Sequence, residues 1–364
     1  RVGDGVTISG DTFQAITIHD GKYYLVGTDQ VYDCSVSSDP TVAANWSTTG
    51  SLGSEDLGLE SDATSFKGLL LISLGTDIMS WDGTTKNNDW WTTVAGGTAL
   101  TASVPHTMEV LRTGNDTLFI ADGNKIRYYN TAAAGTIITL DTLMTAHCFA
   151  PALDVMWVGT YTEVEENAYV YEVRVGNDSA SQAYAVDGRV VLTMFTYKNV
   201  PHVITDKGYV QAFDGAGFVT VAQFNWANDN IPMEGCRAGL VQTFGRSRAI
   251  SSKGVKVTGN HAYILVDTTS ENEPTESLDP VSKSGIWVLD LETYSLTHRY
   301  SLPANSSDRG YGVLDGSGPL LITNNPETRI MAIAQVDYTS GSDEGWGLWM
   351  ENDLTPYGNF TLTR

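Results

Sequence analysis

Three features of the sequence predict an all-β chain. Apolar and polar residues alternate in short runs, as in Ile286, Val288 and Leu291 followed after a polar turn by Leu296, His298 and Tyr300. No window holds the three-and-four spacing of a helix, and β-branched and aromatic residues dominate the runs. The same pattern returns at a period of about 40 to 60 residues, the range of propeller blades. A small antiparallel sheet with two apolar faces is not stable by itself and must stack on copies of itself. The predicted fold is therefore a single seven-bladed β-propeller of four-stranded antiparallel blades.

The repeat reads as an apolar strand, a turn with Thr-Asp or similar, a strand ending in an aromatic and Asp or Asn, and a last strand. Seven passes fit the chain. Tyr24 and Val26 lead through Asp29 to Val31, Tyr32 and Asp33. Leu71 and Ser73 lead through Asp77 to Ile78, Trp81 and Asp82. Leu118 and Ile120 lead through Asp122 to Ile126, Tyr129 and Asn130. Met156, Val158 and Thr160 lead, after a longer acidic turn, to Tyr169, Tyr171 and Glu172. Ile204 leads through Asp206 to Val210, Phe213 and Asp214. Tyr263 and Leu265 lead through Asp267 to Trp287, Leu289 and Asp290. Leu320 and Ile322 lead through Asn324 to Ile330, Ile333 and Asp337.

This places a lead-in strand at 1–11 (Val6, Ile8), the propeller at 12–352, and a C-terminal strand (Phe360, Leu362) or a linker onward at 353–364. An open ring would leave two unpaired sheet edges, so one terminus is expected to complete a blade. The chain starts at Arg1 without a charged-then-apolar leader, and flanking segments are expected. In the second blade Trp81, Trp90 and Trp91 supply packing surface between sheets. Residues 226–248, rich in Gly, Asn and Pro, read as a surface excursion.

The formal charge of −22 removes nucleic acid as a partner, because no basic stripe is present to displace counterions from phosphate. No run of apolar residues is long enough to insert in a membrane as a helix. The acidity serves solubility, or attracts calcium or a basic partner. Calcium is compatible with it, although no twelve-residue loop of alternating oxygens is present; no other cofactor is expected. Cys34, Cys148 and Cys236 are an odd number with no metal-binding spacing, and read as small buried hydrophobes.

Asp29, Asp77, Asp122, Asp206 and Asp267 recur in the turn between the second and third strands, on the face where blades connect. A ring of acids at one mouth would bind a cation or a basic loop. The simpler reading is that Asp suits a tight turn by bonding nearby backbone. The recurrent Asp33, Asp82, Asn130, Asp214, Asp290 and Asp337 fall on the opposite face for the same reason. Two passes lengthen the first turn with acid: Glu163, Glu165 and Glu166 in one, Glu271 and Glu273 in the other. Long loops on a rigid scaffold concentrate binding, so these residues complete the candidate binding face. The six histidines form no HExxH motif, and no nucleophile elbow, Walker loop or arginine cluster appears.

The phrases GLLLISLGTDIMSWDGTT, NDTLFIADGNKIRYYN and HVITDKGYVQAFDGAGF resemble propeller blades of virion and tail structural proteins of tailed bacteriophages. GIWVLDLETYSL is similar to the blade hairpin of quinoprotein-type and surface-layer propellers, without their regular Trp-Gly docking pattern. The resemblance implies a virion or extracellular setting. It also implies a non-enzymatic propeller that binds other structural protein chains or a surface glycan. The alternative is a glycan-active hydrolase or lectin with carboxylates in the channel, since facing acids can hydrolyse a glycoside.

Overall fold

The computed structural model describes residues 14–27, 30–40, 43–48, 62–102, 104–130, 133–224, 250–266, 285–300, 313–323, 329–338, 343–352 and 359–363. Among them the strands group into seven four-stranded sheets, each built from four strands consecutive in the chain. Sheet 1 holds β1 (Ala15–His19), β2 (Lys22–Val26), β3 (Val31–Ser35) and β4 (Ser47–Thr48). Sheet 2 holds β5 (Ala63–Phe66), β6 (Leu69–Leu74), β7 (Asp77–Trp81) and β8 (Lys86–Asn87). Sheet 3 holds β9 (Met108–Leu111), β10 (Thr117–Asp122), β11 (Lys125–Asn130) and β12 (Ala133–Thr139). Sheet 4 holds β13 (Thr145–Ala152), β14 (Val155–Tyr161), β15 (Tyr169–Val173) and β16 (Gln182–Ala185). Sheet 5 holds β17 (Val191–Tyr197), β18 (Val200–Thr205), β19 (Tyr209–Phe213) and β20 (Phe218–Gln223). Sheet 6 holds β21 (Val255–Thr258), β22 (His261–Val266), β23 (Gly285–Asp290) and β24 (Leu296–Tyr300). Sheet 7 holds β25 (Val313–Thr323), β26 (Arg329–Tyr338), β27 (Asp343–Asn352) and β28 (Asn359–Thr363).

Sheets 2 to 5 belong to one compact unit, and sheets 1, 6 and 7 to another. In the first unit the opening strands β5, β9, β13 and β17 each lie against the next. In the second, β25 touches both β21 and β1, so the last sheet packs on the first. Met331 of β26 is buried among Ile16, Tyr23, Leu25 and Tyr32 of sheet 1.

The core lies between sheets, which is why strands read as near-continuous apolar runs. Sheet 3 buries Leu118 and Ile120 with Phe66 and Leu71 of sheet 2, and Phe119 and Ala121 with Met156 and Val158 of sheet 4. Sheet 4 in turn buries Ala150 and Trp157 against Met194 and Val203 of sheet 5. Sheets covered on both faces have no polar face to alternate with. Gly159 of β14 marks a tight approach there: a Cβ on it would lie 2.6 Å from Val191 Cγ1 and 2.7 Å from Cys148 Sγ. Cys34 and Cys148 are both buried, as small hydrophobes should be, while Cys236 lies outside the described residues.

Two expectations need correction. Trp90 and Trp91 are buried between sheets 2 and 3 as expected, but they stand on a short helix, α1 (Trp90–Thr93), where no helical spacing was read. The Trp91 ring lies over Gly97, where a Cβ would be 2.1 Å from the ring, and its Nε1 donates to Thr98 O at 2.8 Å. The second correction concerns sheet 7. Leu320 and Ile322 belong to its first strand and Ile330 and Ile333 to its second, so the repeat was read one strand early. Consequently Asp337 sits by the hairpin between the second and third strands, paired with Glu344, and not with the opposite set. The strand carrying Phe360 and Leu362 pairs with β27 as the fourth strand of sheet 7, so that sheet runs beyond Asn352. The predicted excursion at 226–248 and the lead-in strand at 1–11 lie outside the described residues.

Four sheets join their first two strands through two-residue turns with both residues at positive φ: Asp20-Gly21, Lys67-Gly68, Leu153-Asp154 and Lys198-Asn199. This is the handedness that matches strand twist, and glycine or asparagine meets it with least strain. Leu153-Asp154 contains neither (φ 54° and 58°). Replacing Asp154→Gly is expected to raise the urea midpoint, by about 1 kcal/mol of relieved left-handed strain. Gly159→Ala is expected to lower it by about 1–3 kcal/mol through overpacking, measured in the same titration.

Candidate interaction face

Within the unit of sheets 2 to 5, the turns between second and third strands are tied to the linkers that enter the next first strand. Ala146 N–H donates to Gly123 O at 2.8 Å, Thr162 N–H to Arg189 O at 3.0 Å and Ala168 N–H to Gly188 O at 2.7 Å. The ring of His106, buried in the linker before β9, lies 2.9 Å from Ala121 O and 3.1 Å from Gly75 O. One imidazole thus spans sheets 2 and 3.

Carboxylates do the rest of this tying. Asp77 Oδ1 accepts from Trp91 N–H at 3.0 Å, and its Oδ2 accepts from Thr92 Oγ1 at 2.6 Å. It caps α1 from another strand, since the residue at the helix start, Asp89, makes no side-chain cap. Asp62 Oδ2 reaches from sheet 2 to Met108 N–H of β9 at 2.7 Å. Asp122 Oδ1 accepts from Thr101 N–H at 2.7 Å, and Oδ2 accepts from Arg127 Nε and Nη2, both at 2.7 Å. The Asp122 and Arg127 side chains are 0% and 5% exposed, so this is a buried, forked ion pair. Burial pushes the Asp122 carboxyl up, but the Thr101 N–H and Arg127 outweigh it and hold it below the ordinary range. Asp206 Oδ1 accepts from Arg189 N–H at 3.0 Å and Val190 N–H at 3.3 Å. Burial dominates there and pushes its carboxyl up despite these donors.

The acidic turn of sheet 4 behaves differently. Thr162 Oγ1 accepts from Val164 and Glu165 N–H at 3.4 and 3.1 Å, fixing the base of the loop, while Glu163, Val164, Glu165 and Glu166 are exposed. Glu163, Glu165 and Glu166 therefore stand together on a braced loop. Asp29, Asp267, Glu271 and Glu273 lie outside the described residues. At the other hairpin, Asp82, Asp214 and Asp290 each accept two N–H groups from their own turn at 2.6–2.9 Å. These bonds hold all three carboxyls below the ordinary range.

Sequence reasoning located the turn acids but missed Arg127, Asp62 and the bridging role of His106. An arginine five residues after the turn Asp was the available signal for the first. Asp62 and His106 do not recur between repeats, so no repeat-based reading singles them out. Among the described residues no three of His, Cys, Asp and Glu come together to hold a metal ion. No described helix is long and apolar enough to cross a membrane.

The chain is similar to the solved structure of BBS1N in complex with ARL6DN, at 12% identity over 90% of each chain, with a TM-score of 0.53. It is also similar to the WD40 β-propeller domain of Doa1, at 11% identity over 89% of this chain and 90% of that one, with a TM-score of 0.53. The fold is a β-propeller. Its blades are four-stranded and antiparallel. No protein-family model matches the chain, and no curated protein does.

The two buried turn acids of this propeller should respond oppositely to neutralisation. Asp122→Asn leaves Arg127 buried without its counter-charge and is expected to cost about 3–5 kcal/mol. Because the folded Asp122 carboxyl is depressed, its stabilisation is full above the unfolded carboxyl range near pH 4 and is lost as pH falls through the folded value. Asp206 has the reverse sign. Its charged form is disfavoured in the fold, so Asp206→Asn should raise the unfolding midpoint at neutral pH, and the gain should shrink on acidification. Thermal unfolding of both variants across pH 3–7.5 checks the pair.

Proposed function

We propose that the chain is a non-enzymatic interaction propeller, presenting rigid loops to another protein in a virion, tail or extracellular surface assembly. The observation that carries this reading is the division of labour among the acids. Asp62, Asp77 and Asp122 hold neighbouring backbone, whereas Glu163, Glu165 and Glu166 are exposed on a loop whose base is braced by Thr162 and by Arg189 O. Preorganised charge at a rim steers a partner of opposite sign more than it adds raw affinity. A basic protein surface is the complement that a chain of charge −22 selects.

Two further points support the reading. The BBS1N propeller of similar fold is found in complex with ARL6DN. The phrases around Asp77, Asp122 and Asp206 resemble blades of phage virion and tail propellers, which supports the virion setting. The partner is then another structural chain.

The test is recovery of the native assembly with tagged full-length chain, followed by affinity measurement with the captured partner. Triple reversal of Glu163, Glu165 and Glu166 to Lys should weaken binding about tenfold or more, mainly through a slower on-rate at low salt. A free monomer that turns over an oligosaccharide, with activity abolished by Asp→Asn changes in the turns, would replace this reading with the glycan-active one.

A further inference from the structure

Four aromatic rings meet at the outer strands of sheets 4 and 5, which belong to the same compact unit. Trp157 of β14 is the floor, buried and fixed by its Nε1 donating to Ala152 O at 3.1 Å. Phe213 of β19 stands against it with ring centres 4.7 Å apart, and Tyr184 of β16 and Phe218 of β20 lie 5.1 and 5.6 Å from Phe213. Strand register explains the gathering. Trp157, Glu172 and Gln182 stand side by side across β14, β15 and β16, with Tyr184 two residues on and on the same face, while Phe213 is opposite Phe218 in sheet 5. Tyr184, Phe213 and Phe218 are only partly buried. Single apolar groups at a surface need no explanation, but three rings left partly in water at one place forfeit burial that a ligand would recover. The junction of sheets 3 and 4 is finished differently: Tyr128 is buried, and its hydroxyl accepts from Gly176 N–H at 3.1 Å.

Polar groups edge the same rings. Glu172 Oε1 accepts from Arg174 Nε and Nη2 at 2.7 and 2.5 Å, with the carboxylate 10% and the guanidinium side chain 58% exposed. This fork leaves Arg174 Nη1 without a bond among the described residues. Tyr184 O–H donates to Gln182 Oε1, which leaves both N–H groups of that exposed amide open. Burial first, and then the Glu172 carboxylate, push the Tyr184 phenol up against the pull of Arg174, so hydroxyl, carboxylate and guanidinium share one neighbourhood. The charges of Glu172 and Arg174 cancel, which makes this a neutral place on a chain of charge −22. Apolar ring surface with uncharged and half-used hydrogen-bond donors at its edge suits a neutral ligand with apolar faces and a hydroxylated rim.

We propose that the outer rim between sheets 4 and 5 binds one neutral pyranose ring of a glycan, stacked on Tyr184, Phe213 and Phe218 and hydrogen-bonded through its hydroxyls to Gln182 Nε2 and Arg174 Nη1. The Tyr184 oxygen, its proton given to Gln182, accepts from a further sugar hydroxyl. This site goes beyond the protein contact proposed above and is separate from it. The loop of Glu163, Glu165 and Glu166 joins second and third strands, whereas Phe213 and Phe218 flank a hairpin joining third and fourth, so the two lie at opposite ends of the strands.

The experiment titrates the full chain with methyl α-D-glucopyranoside, methyl β-D-galactopyranoside, methyl α-D-mannopyranoside and methyl N-acetyl-β-D-glucosaminide, and follows backbone amide shifts by NMR. Saturable shifts at Gln182, Tyr184, Phe213 and Phe218 are expected with at least one of the four. Tyr184→Ala and Gln182→Ala are each expected to weaken that binding about tenfold. Gln182 is exposed on an edge strand, so its variant should keep the parent's unfolding midpoint. Reversal of Glu163, Glu165 and Glu166 to Lys should leave glycoside binding unchanged. No shift at these amides with any of the four glycosides, or shifts that both alanine variants retain, would overturn the site. Glycoside shifts confined to the loop of Glu163, Glu165 and Glu166 would overturn it too. A captured partner protein that Tyr184→Ala releases, with no glycoside bound, would replace it with a protein contact, and the outcome of the charge-reversal test stands apart from all of these.

Discussion

The structure depends on carboxylates that leave their own strand and accept N–H groups from the stretches where the chain crosses from one sheet to the next. A sheet that is apolar on both faces can slide against the next, because dispersion and burial are not directional. Direction comes from Asp62 on Met108 N–H, from Asp122 on Thr101 N–H, and from Asp206 on Arg189 and Val190 N–H. Each bond satisfies a backbone donor that has left its ladder and would otherwise be buried without a partner. The His106 ring stands between Ala121 O and Gly75 O, and its N–H serves one of these carbonyls. Burial holds the sheets together; these bonds set where they stop.

This arrangement determines which acids remain for a partner. A buried carboxylate that already accepts from a backbone N–H and a guanidinium has little capacity for a second task, which is the state of Asp122. The loop at Glu163, Glu165 and Glu166 is longer, and its base is secured by Thr162 instead, so its acids face water. Rigid base and free tip are the combination that lowers the ordering cost of binding. The same scaffold bond therefore serves stability at one turn and recognition at the next.

Much of the architecture was legible because the repeat writes its punctuation in chemistry. Strand, Asp turn, strand and aromatic-Asp turn located β2 and β3, β6 and β7, β10 and β11, and β18 and β19. Asp82, Asp214 and Asp290 do bond the backbone of their own hairpin, as a tight-turn aspartate should. Sheet 7 was misread because Val313–Thr323 and Arg329–Tyr338 are long strands, and alternation alone does not say which pair of a blade one is reading. The helix at Trp90–Thr93 is a single turn, too short to show a period. Asp62 was invisible for a different reason: its role comes from a contact 46 residues away, and repetition advertises only what recurs.

The most direct measurement of the central claim is native-state hydrogen exchange at Thr101, Met108, Arg189 and Val190, amides that stand at or outside the ends of strands. The account predicts that all four are protected nearly as well as the ladder amides of β10 and β14, because each donates to a carboxylate that pins the crossing between two sheets. Exchange at the rate of open loops, with the ladders still protected, would mean that the sheets are positioned by burial alone and would contradict it.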